Sequence, residues 1–235
     1  MAPYIGEFVG MTLVITLGTS VVANVVLSNT KGQNSGWIVI TLGWAMAVFI
    51  GNYVSVKLGG SGHLNPAFTI GAALFSGFEP SLVMPYIAAQ FAGAILGAAL
   101  TWLSYHSHFE VTENQSAKLA VFCNAPAIRK TIPNLLTEII ATAVLVVAAL
   151  GMSQPTTAFV TLDALPISLV VLAIGLCMGG PTGYAINPAR DLGPRIAHFI
   201  LPIHGKGNSD WSYSWIPVVG PLIGALIGFY TYGLF

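Results

Sequence analysis

Long apolar stretches alternate along the whole chain with short stretches that are polar or rich in glycine and proline. Six of the apolar stretches approach the roughly 20 residues that a helix needs to cross the hydrocarbon core of a bilayer. These six cover residues 4–27, 37–57, 83–104, 135–152, 164–180 and 214–234. The pattern therefore predicts an all-α membrane protein with six transmembrane helices.

Two further apolar segments, at residues 65–77 and 187–201, are too short to cross the membrane. About 12 helical residues rise only ~18 Å, whereas the hydrocarbon core is ~30 Å thick. Both segments begin with the same motif, Asn65-Pro66-Ala67 and Asn187-Pro188-Ala189, in which an N-cap asparagine precedes a proline in the first turn. Irregular backbone at membrane depth is tolerated only where protein covers it or where it lines a water-filled cavity. Two re-entrant half-helices therefore indicate a pore.

The chain contains an internal repeat. Gly6-Glu7-Phe8 in the first span is echoed by Thr137-Glu138-Ile139 in the fourth, and the glycine-containing run at residues 93–97 returns at the same offset at residues 224–228. Because each copy has three spans, the second copy must enter the membrane from the opposite side, so the repeats have inverted topology and their half-helices meet at the midplane. We therefore expect a single channel domain over residues 1–235, with a first repeat at 1–105, a connecting loop at 106–134 and a second repeat at 135–235.

Composition excludes several classes of protein. Hydrophobic residues make up 55% of the chain and charged residues only 7%, which leaves too little polar surface for a soluble globule. The formal net charge is zero, so we expect no basic surface that would bind nucleic acid. Cys123 and Cys177 show no paired spacing with each other or with histidine, which suggests neither a disulfide framework nor a metal site, and we expect no cofactor.

The two Asn-Pro-Ala motifs predict specific chemistry at the centre of the pore. A helix N-terminus carries about half a positive charge and unsatisfied N–H donors, so two facing N-termini should disfavour cations. The amides of Asn65 and Asn187 can donate to water or to hydroxyl groups, and a water oriented in this way would interrupt a proton wire. The alternative is that both asparagines only cap their helices.

Arg190 directly follows the second motif. A charge at this depth costs ~2.5–3.5 kcal/mol on insertion scales, so its side chain should face the pore or a partner. The alternative is an ion pair with Asp191. That pair is disfavoured because adjacent residues on a helix point ~100° apart.

A paired Asn-Pro-Ala motif inside an inverted repeat resembles the aquaporin family, and the surrounding sequences at residues 61–67 and 183–191 are similar to that family throughout. The resemblance covers essentially the whole chain. Asp191, Arg195 and Pro217-Val218 are similar to the glycerol-conducting branch, and residues 36–41 resemble its Gram-positive members. The resemblance implies the aquaporin fold, a multi-pass location in the plasma membrane and a homotetrameric assembly.

The resemblance also implies a selectivity constriction. Arg190 matches the arginine of the family, Tyr184 and Gly175 lie three and twelve residues before Asn187, and Trp44 on the second span resembles the tryptophan of glycerol facilitators. Together these side chains imply a wide, one-sided constriction in which aromatic faces receive CH groups and the guanidinium donates to hydroxyls. Gly175 stands where water-specific members usually have histidine, and Tyr184 stands where phenylalanine is usual.

Glu7 and Glu138 occupy matching positions in the two repeats, inside apolar helices where an unpaired carboxylate would be costly. The resemblance implies that they hold the re-entrant loops by accepting hydrogen bonds from the backbone or from His63, and this structural role is favoured over proton relay. His63 is interpreted as a residue of the pore wall rather than as a metal ligand, because no second ligand stands at helical spacing. Asp191 is also expected to support the pore.

The resemblance implies a passive channel for small uncharged solutes, namely glycerol and similar polyols, water and dihydroxyacetone, that excludes ions and protons. One alternative is a channel whose main solute is undissociated lactic acid. Another is an ion-coupled secondary transporter, since inverted repeats with broken helices also mark that class. Against it, Glu7 and Glu138 are the only charges inside the predicted spans apart from Lys57 at a span end. The sequence has no motif of an intramembrane enzyme, so we expect no enzymatic activity.

Overall fold

The computed structural model describes residues 2–152 and 164–235, and these residues contain ten α-helices and no β-strand. The helices are α1 (Pro3–Val26), α2 (Trp37–Lys57), α3 (Pro66–Phe75), α4 (Val83–Ser104), α5 (His106–Val111), α6 (Gln115–Phe122), α7 (Thr131–Met152), α8 (Leu165–Met178), α9 (Pro188–Ile200) and α10 (Ile216–Tyr232). The expected second repeat, 135–235, includes residues 153–163, which lie outside the described ranges.

Six of these helices coincide with the six predicted spans. α1, α2, α4 and α7 are long and apolar enough to cross a membrane. α8 and α10 are also apolar and have 14 and 17 residues, which corresponds to about 21 and 26 Å at 1.5 Å per residue. The largest difference from the prediction is that α7 begins at Thr131. Its polar first turn interrupts the apolar pattern but is satisfied internally, because buried Asn134 donates from Nδ2 to the carbonyl oxygen of Ile128 at 3.1 Å.

Small residues allow the spanning helices to pack closely. A Cβ atom at Gly93 on α4 would lie 2.4 Å from the carbonyl oxygen of Phe8 on α1. In the other half, a Cβ at Gly224 on α10 would lie 2.3 Å from the carbonyl oxygen of Ile139 on α7. No side chain fits at either position, so the repeated glycines bring helix backbones into contact, as helices in a bilayer require.

The two short helices occupy the places predicted for half-helices. α3 and α9 have 10 and 13 residues, and each packs against both α4 and α10. The helix contacts of the first half recur in the second, since α1 packs against α2 and α4, and α7 packs against α8 and α10. The fold is therefore the predicted inverted repeat of three spans plus one half-helix.

The segment between α4 and α7 is more ordered than a simple connecting loop. It contains α5 and α6, and α6 packs against α1 and against the half-helix α9. Phe109 on α5 and Phe122 on α6 are both buried, and their rings stack with centroids 5.5 Å apart. This segment therefore lies directly against the half-helix that carries Arg190.

Candidate functional site

Each predicted asparagine caps the half-helix that follows it. The Oδ1 atom of Asn65 accepts a hydrogen bond from the backbone N–H of Ala67 at 3.0 Å. The Oδ1 atom of Asn187 accepts from the N–H groups of Ala189 at 3.0 Å and of Arg190 at 3.2 Å. Both asparagines have extended backbones, and both are followed by proline in the first helical turn, so each motif forms an N-cap in the ordinary way.

The same asparagines also join the two half-helices to each other. Asn65 donates from Nδ2 to the carbonyl oxygen of Ile186 at 2.9 Å, and Asn187 donates from Nδ2 to the carbonyl oxygen of Leu64 at 2.7 Å. The N-terminal ends of α3 and α9 therefore meet. An asparagine amide has two N–H donors, so one donor of each residue is left for another partner. Capping and donation to a solute are thus compatible roles, although the sequence presented them as alternatives.

A buried glutamate holds the first re-entrant loop. Glu7 accepts from the backbone N–H of His63 at 3.0 Å through Oε1 and from that of Leu64 at 2.7 Å through Oε2. Gln90 and Ser55 donate to the same carboxylate at 2.8 and 3.2 Å. The contact of Glu7 with His63 is thus through the backbone, while Nδ1 of the imidazole ring lies 3.2 Å from Oγ1 of Thr69.

Glu138 holds the second loop in the same way. Its Oε1 accepts from the N–H of Ala185 at 3.0 Å and from the hydroxyl of Thr182 at 2.6 Å, and its Oε2 accepts from the N–H of Ile186 at 2.9 Å. Glu138 is 1% exposed, and the hydrogen bonds from these three donors offset the cost of burying its carboxylate. Both glutamates therefore make the backbone contacts expected of residues that support the loops.

The loops before the two motifs share an unusual backbone. Gly62 and Leu64 have φ angles of 68° and 48°, and Tyr184 and Ile186 have φ angles of 44° and 46°. A left-handed backbone costs residues with side chains on the order of 1–3 kcal/mol, and it persists only where the surroundings enforce it. The hydrogen bonds to Glu7 and Glu138 supply that enforcement beside the two motifs.

A single cavity of about 270 Å³ connects these features. Its walls combine two kinds of surface: the spanning helices α1, α2, α7 and α8 contribute mainly apolar side chains, with Asn52 on α2 as a polar exception, whereas most of the polar groups come from the re-entrant loops and α9. The apolar wall includes Val14, Val48, Leu145, Ile167 and Val171. Asn65, Asn187, His63 and Arg190 are among the polar residues that line it, together with the aromatic rings of Trp44, Phe68 and Tyr184.

Arg190 lies against an aromatic face of this cavity. Its guanidinium carbon is 4.1 Å from the centroid of the Trp44 ring, which is the geometry of a cation–π contact. Within the described residues, its Nη1 atom is buried and has no hydrogen-bond partner. Asp191 forms its ion pair with Arg195 instead, one turn further along α9, and both side chains are fully buried. The guanidinium of Arg190 therefore has a donor to offer within the cavity.

Gly175 does not line the cavity, because Tyr184 covers it. A Cβ atom at Gly175 would lie 2.9 Å from Cζ and 3.0 Å from the hydroxyl oxygen of Tyr184. Trp37 completes this corner, since its Nε1 donates to the carbonyl oxygen of Gly175 at 2.9 Å and its ring packs edge-on against Tyr184. The missing side chain at position 175 thus makes room for the Tyr184 ring.

Two residues near the site escaped the sequence analysis. Asn52 lines the cavity and donates to the carbonyl oxygen of Gly62 at 2.7 Å, and a polar residue inside an apolar span was a signal that pointed to it. Asn124, in the connecting segment, donates to the carbonyl oxygen of Thr182 at 3.1 Å. Nothing in its sequence context indicated this contact, because the segment has no clear periodicity.

The six spans, the two half-helices and the cavity between them define a membrane channel of the re-entrant half-helix type. The sequence matches the family described as "Major intrinsic protein" over residues 1–232. The chain therefore belongs to the major intrinsic protein family, that of the aquaporins, and is a multi-pass protein of the plasma membrane. Members of this family are channels rather than enzymes.

Individual relatives indicate which members of this family the chain resembles. It is 54% identical over 228 residues to a probable glycerol uptake facilitator protein of Thermotoga maritima, with 97% of each chain covered. It is 52% identical over 232 residues to a glycerol uptake facilitator protein of Streptococcus pneumoniae, which covers 98% of this chain and 97% of the relative. The X-ray structure of the aquaglyceroporin from Plasmodium falciparum superposes with a TM-score of 0.83 at 29% identity, covering 98% of this chain and 94% of the other.

Proposed function

We propose that the chain is a passive channel for glycerol and similar small uncharged solutes. The observation that carries this proposal is the single cavity, which brings the amides of Asn65 and Asn187 together with Arg190, Trp44 and Tyr184. The extensive similarity to glycerol uptake facilitators supports the choice of solute.

The two kinds of wall suit a polyol. Glycerol has hydroxyl groups along one edge of its carbon chain and CH groups along the other, and the cavity offers polar groups from the loops and apolar groups from the spanning helices. The second N–H of each asparagine and the Nη1 donor of Arg190 bind hydroxyl oxygens, while Trp44 and the apolar wall receive the CH groups. Trp44, Gly175, Tyr184 and Arg190 form the selectivity filter in this proposal, with Gly175 acting through the space that it leaves for Tyr184.

Positive charge gives the filter its exclusion of cations. The N-terminal ends of α3 and α9 and the guanidinium of Arg190 make this stretch of the passage electropositive, so cations and protons are disfavoured. Glu7 and Glu138 accept hydrogen bonds from the loop backbone and are not among the described residues that line the cavity. In this proposal charge excludes cations, and neutral solutes are the permeant class.

The assembly of the chain is part of the same proposal. We treat residues 1–235 as one channel domain in which repeats 1–105 and 135–235 are joined by the segment 106–134. The resemblance to aquaporins favours a homotetramer in which each chain has its own passage. Cross-linking of the purified protein followed by mass measurement tests the number of subunits.

Flux measurements distinguish a channel from a transporter. In proteoliposomes followed by light scattering, we expect glycerol flux to rise in proportion to the gradient and to be unaffected when ion gradients are collapsed. Saturation at low concentration or a requirement for an ion gradient would favour the transporter. The same vesicles, tested with lactic acid at low and neutral pH, decide whether the undissociated acid passes faster than glycerol.

A variant of Arg190 tests the filter itself. We expect Arg190→Val to increase proton leak and to change the ratio of glycerol to water permeability, because the fixed positive charge and one donor are lost. Lys31→Val is a suitable control, since Lys31 is exposed and far from the half-helices in sequence. An unchanged leak and an unchanged ratio in Arg190→Val would refute the filter assignment.

A further inference from the structure

The two re-entrant loops are each held by one glutamate and one asparagine, but the two asparagines come from different places. Asn52 lies on α2, in the same half as the loop that it contacts, and donates to the carbonyl oxygen of Gly62 at 2.7 Å. Asn124 lies just after α6, in the connecting segment, and donates to the carbonyl oxygen of Thr182 at 3.1 Å. The second loop therefore depends on a residue that belongs to neither group of three spans.

Asn124 is held firmly in place by a buried ion pair. Its backbone N–H donates to Oδ2 of Asp191 at 2.7 Å, and its carbonyl oxygen accepts from Nη2 of Arg195 at 2.9 Å. Arg195 uses its other donors on Asp191, and on the carbonyl oxygens of Ser209 at 2.7 Å and Asp210 at 3.0 Å. All five N–H donors of this guanidinium are thus engaged, which fixes the connecting segment against α9.

These contacts lie on both sides of the proposed filter. Thr182 is two residues before Tyr184, and a Cβ atom at the intervening Gly183 would lie 2.6 Å from Nδ2 of Asn124. Asp191 directly follows Arg190. A shift of Asn124 would therefore be transmitted to the backbone of Tyr184 and to the start of α9.

The side chain of Asn124 is poorly explained by stability alone. It is 5% exposed, and within the described residues its Oδ1 atom is buried with no hydrogen-bond partner. A buried acceptor without a partner is costly, and the side chain incurs this cost while its Nδ2 atom donates to the Thr182 carbonyl oxygen. The feature that Asn124 adds is the Nδ2 donor, which contacts the second re-entrant loop.

We propose that Asn124 is a positioning residue of the selectivity filter, and that the connecting segment thereby sets the solute preference of the channel. This inference rests on the proposed function, because it takes Tyr184 and Arg190 as the filter. When the donor of Asn124 is lost, the Thr182 carbonyl is released and the Tyr184 ring moves relative to Arg190. The width of the passage then changes, which affects glycerol and water differently.

The test compares two buried asparagines that make equivalent hydrogen bonds. Asn134 is 4% exposed and also donates from Nδ2 to a backbone carbonyl, that of Ile128, at 3.1 Å, and within the described residues no hydrogen bond joins its side chain to the second re-entrant loop. Asn124→Ala and Asn134→Ala are purified and reconstituted at equal density beside Arg190→Val. Glycerol and water permeabilities are measured by stopped-flow light scattering, and melting temperatures are measured in detergent.

We expect both alanine variants to melt at a lower temperature, and only Asn124→Ala to change the ratio of glycerol to water permeability, by about fivefold, the factor that corresponds to one typical hydrogen bond. Equal ratios in Asn124→Ala, Asn134→Ala and the wild type, with a changed ratio in Arg190→Val, would overturn the positioning role alone. An unchanged ratio in Arg190→Val as well would overturn the filter assignment on which it rests. If an alanine variant does not accumulate in the membrane, Asn124→Leu and Asn134→Leu keep the number and branching of the side-chain heavy atoms and give the same comparison.

Discussion

The first and second re-entrant loops share a backbone plan but differ in the charges around them. In each, a buried glutamate accepts from two consecutive backbone N–H groups, and an asparagine caps the half-helix that follows. α3 carries no charged residue, whereas α9 carries Arg190, Asp191 and Arg195. The two loops thus share their backbone supports, and the charged residues are confined to the second half-helix.

The far ends of the two half-helices differ as well. α3 closes with a left-handed glycine, Gly77, after which the N–H of Phe78 donates to the carbonyl oxygen of Ala72 at 3.2 Å. α9 closes with a cation, because Nζ of Lys206 donates to the last carbonyl oxygens of the helix, including that of His198 at 2.6 Å. The half-helix that carries Arg190 is therefore also the one whose C-terminal end is capped by a charged side chain.

The largest effect is expected from Glu138→Ala. Three buried donors would lose their acceptor, at roughly 1–3 kcal/mol each, and the left-handed backbone of the second loop would lose its support. We expect little folded protein in detergent, as judged by size-exclusion chromatography. Glu138→Gln keeps one acceptor oxygen and should recover part of the yield of folded protein. Normal yield and melting temperature in Glu138→Ala would show that the second loop is held by other contacts.

A smaller effect, on flux, is expected from Gly175→Ala. The added methyl group would lie 2.9 Å from Cζ of Tyr184 and should push the ring into the cavity. Overpacking of this kind costs about 1–3 kcal/mol. A similar increase in the barrier for glycerol at the narrowed passage would lower its permeability by about tenfold, with a smaller loss for water. Gly180→Ala is the matched control, because an added Cβ there meets nothing within 4 Å. Equal losses for both solutes would argue against a size effect at this corner.

Lys206→Met should have a moderate effect on stability and little effect on solute preference. A cation at a helix C-terminus contributes about 0.3–1 kcal/mol, so the melting temperature should fall by a few degrees and the fall should shrink at high salt. Lys31→Met is the control, since Lys31 is exposed and lies in the turn between α1 and α2, and within the described residues its side chain donates to no helix C-terminal carbonyl that its charge could cap. A fall that is the same at all salt concentrations would contradict an electrostatic cap.

The smallest effect on stability is expected from Tyr184→Phe. Within the described residues the tyrosine hydroxyl is buried without a hydrogen-bond partner, so its removal breaks no contact in the protein and should change the free energy of unfolding by less than about 0.5 kcal/mol. A change in flux would then reflect the contact between the solute and residue 184 and not a loss of protein stability. A large loss of glycerol permeability at unchanged stability would indicate that permeating solutes hydrogen-bond to this hydroxyl.

Local patterns predicted the architecture because each pattern has a strong physical cause. Apolar runs marked the spans, and the Asn-Pro-Ala motifs marked the starts of α3 and α9 at Pro66 and Pro188. Glu7 and Glu138 stood out because a carboxylate inside an apolar helix requires donors, and the structure supplies them from the loops. Such features can be predicted from sequence because the residues that produce them are themselves part of the local pattern.

Contacts between distant segments were not predictable in this way. The contact of Asn124 with Thr182, for example, joins residues that no repeat or periodicity relates. The role of Gly175 likewise depends on where the Tyr184 ring lies, which is a matter of three-dimensional packing. Sequence therefore indicated which groups are present at the site, and the structure indicates how they constrain one another.

The central claim is that solutes cross through the one cavity between the half-helices, and blocking that cavity tests it most directly. Val48 lines the cavity from α2, so Val48→Cys places a thiol in the proposed passage, while the wild type, with buried Cys123 and exposed Cys177, serves as the control. A small methanethiosulfonate reagent is applied to proteoliposomes, and labelling is quantified by mass spectrometry. We predict loss of both glycerol and water flux in Val48→Cys alone. Full labelling of position 48 with undiminished glycerol flux would contradict the account.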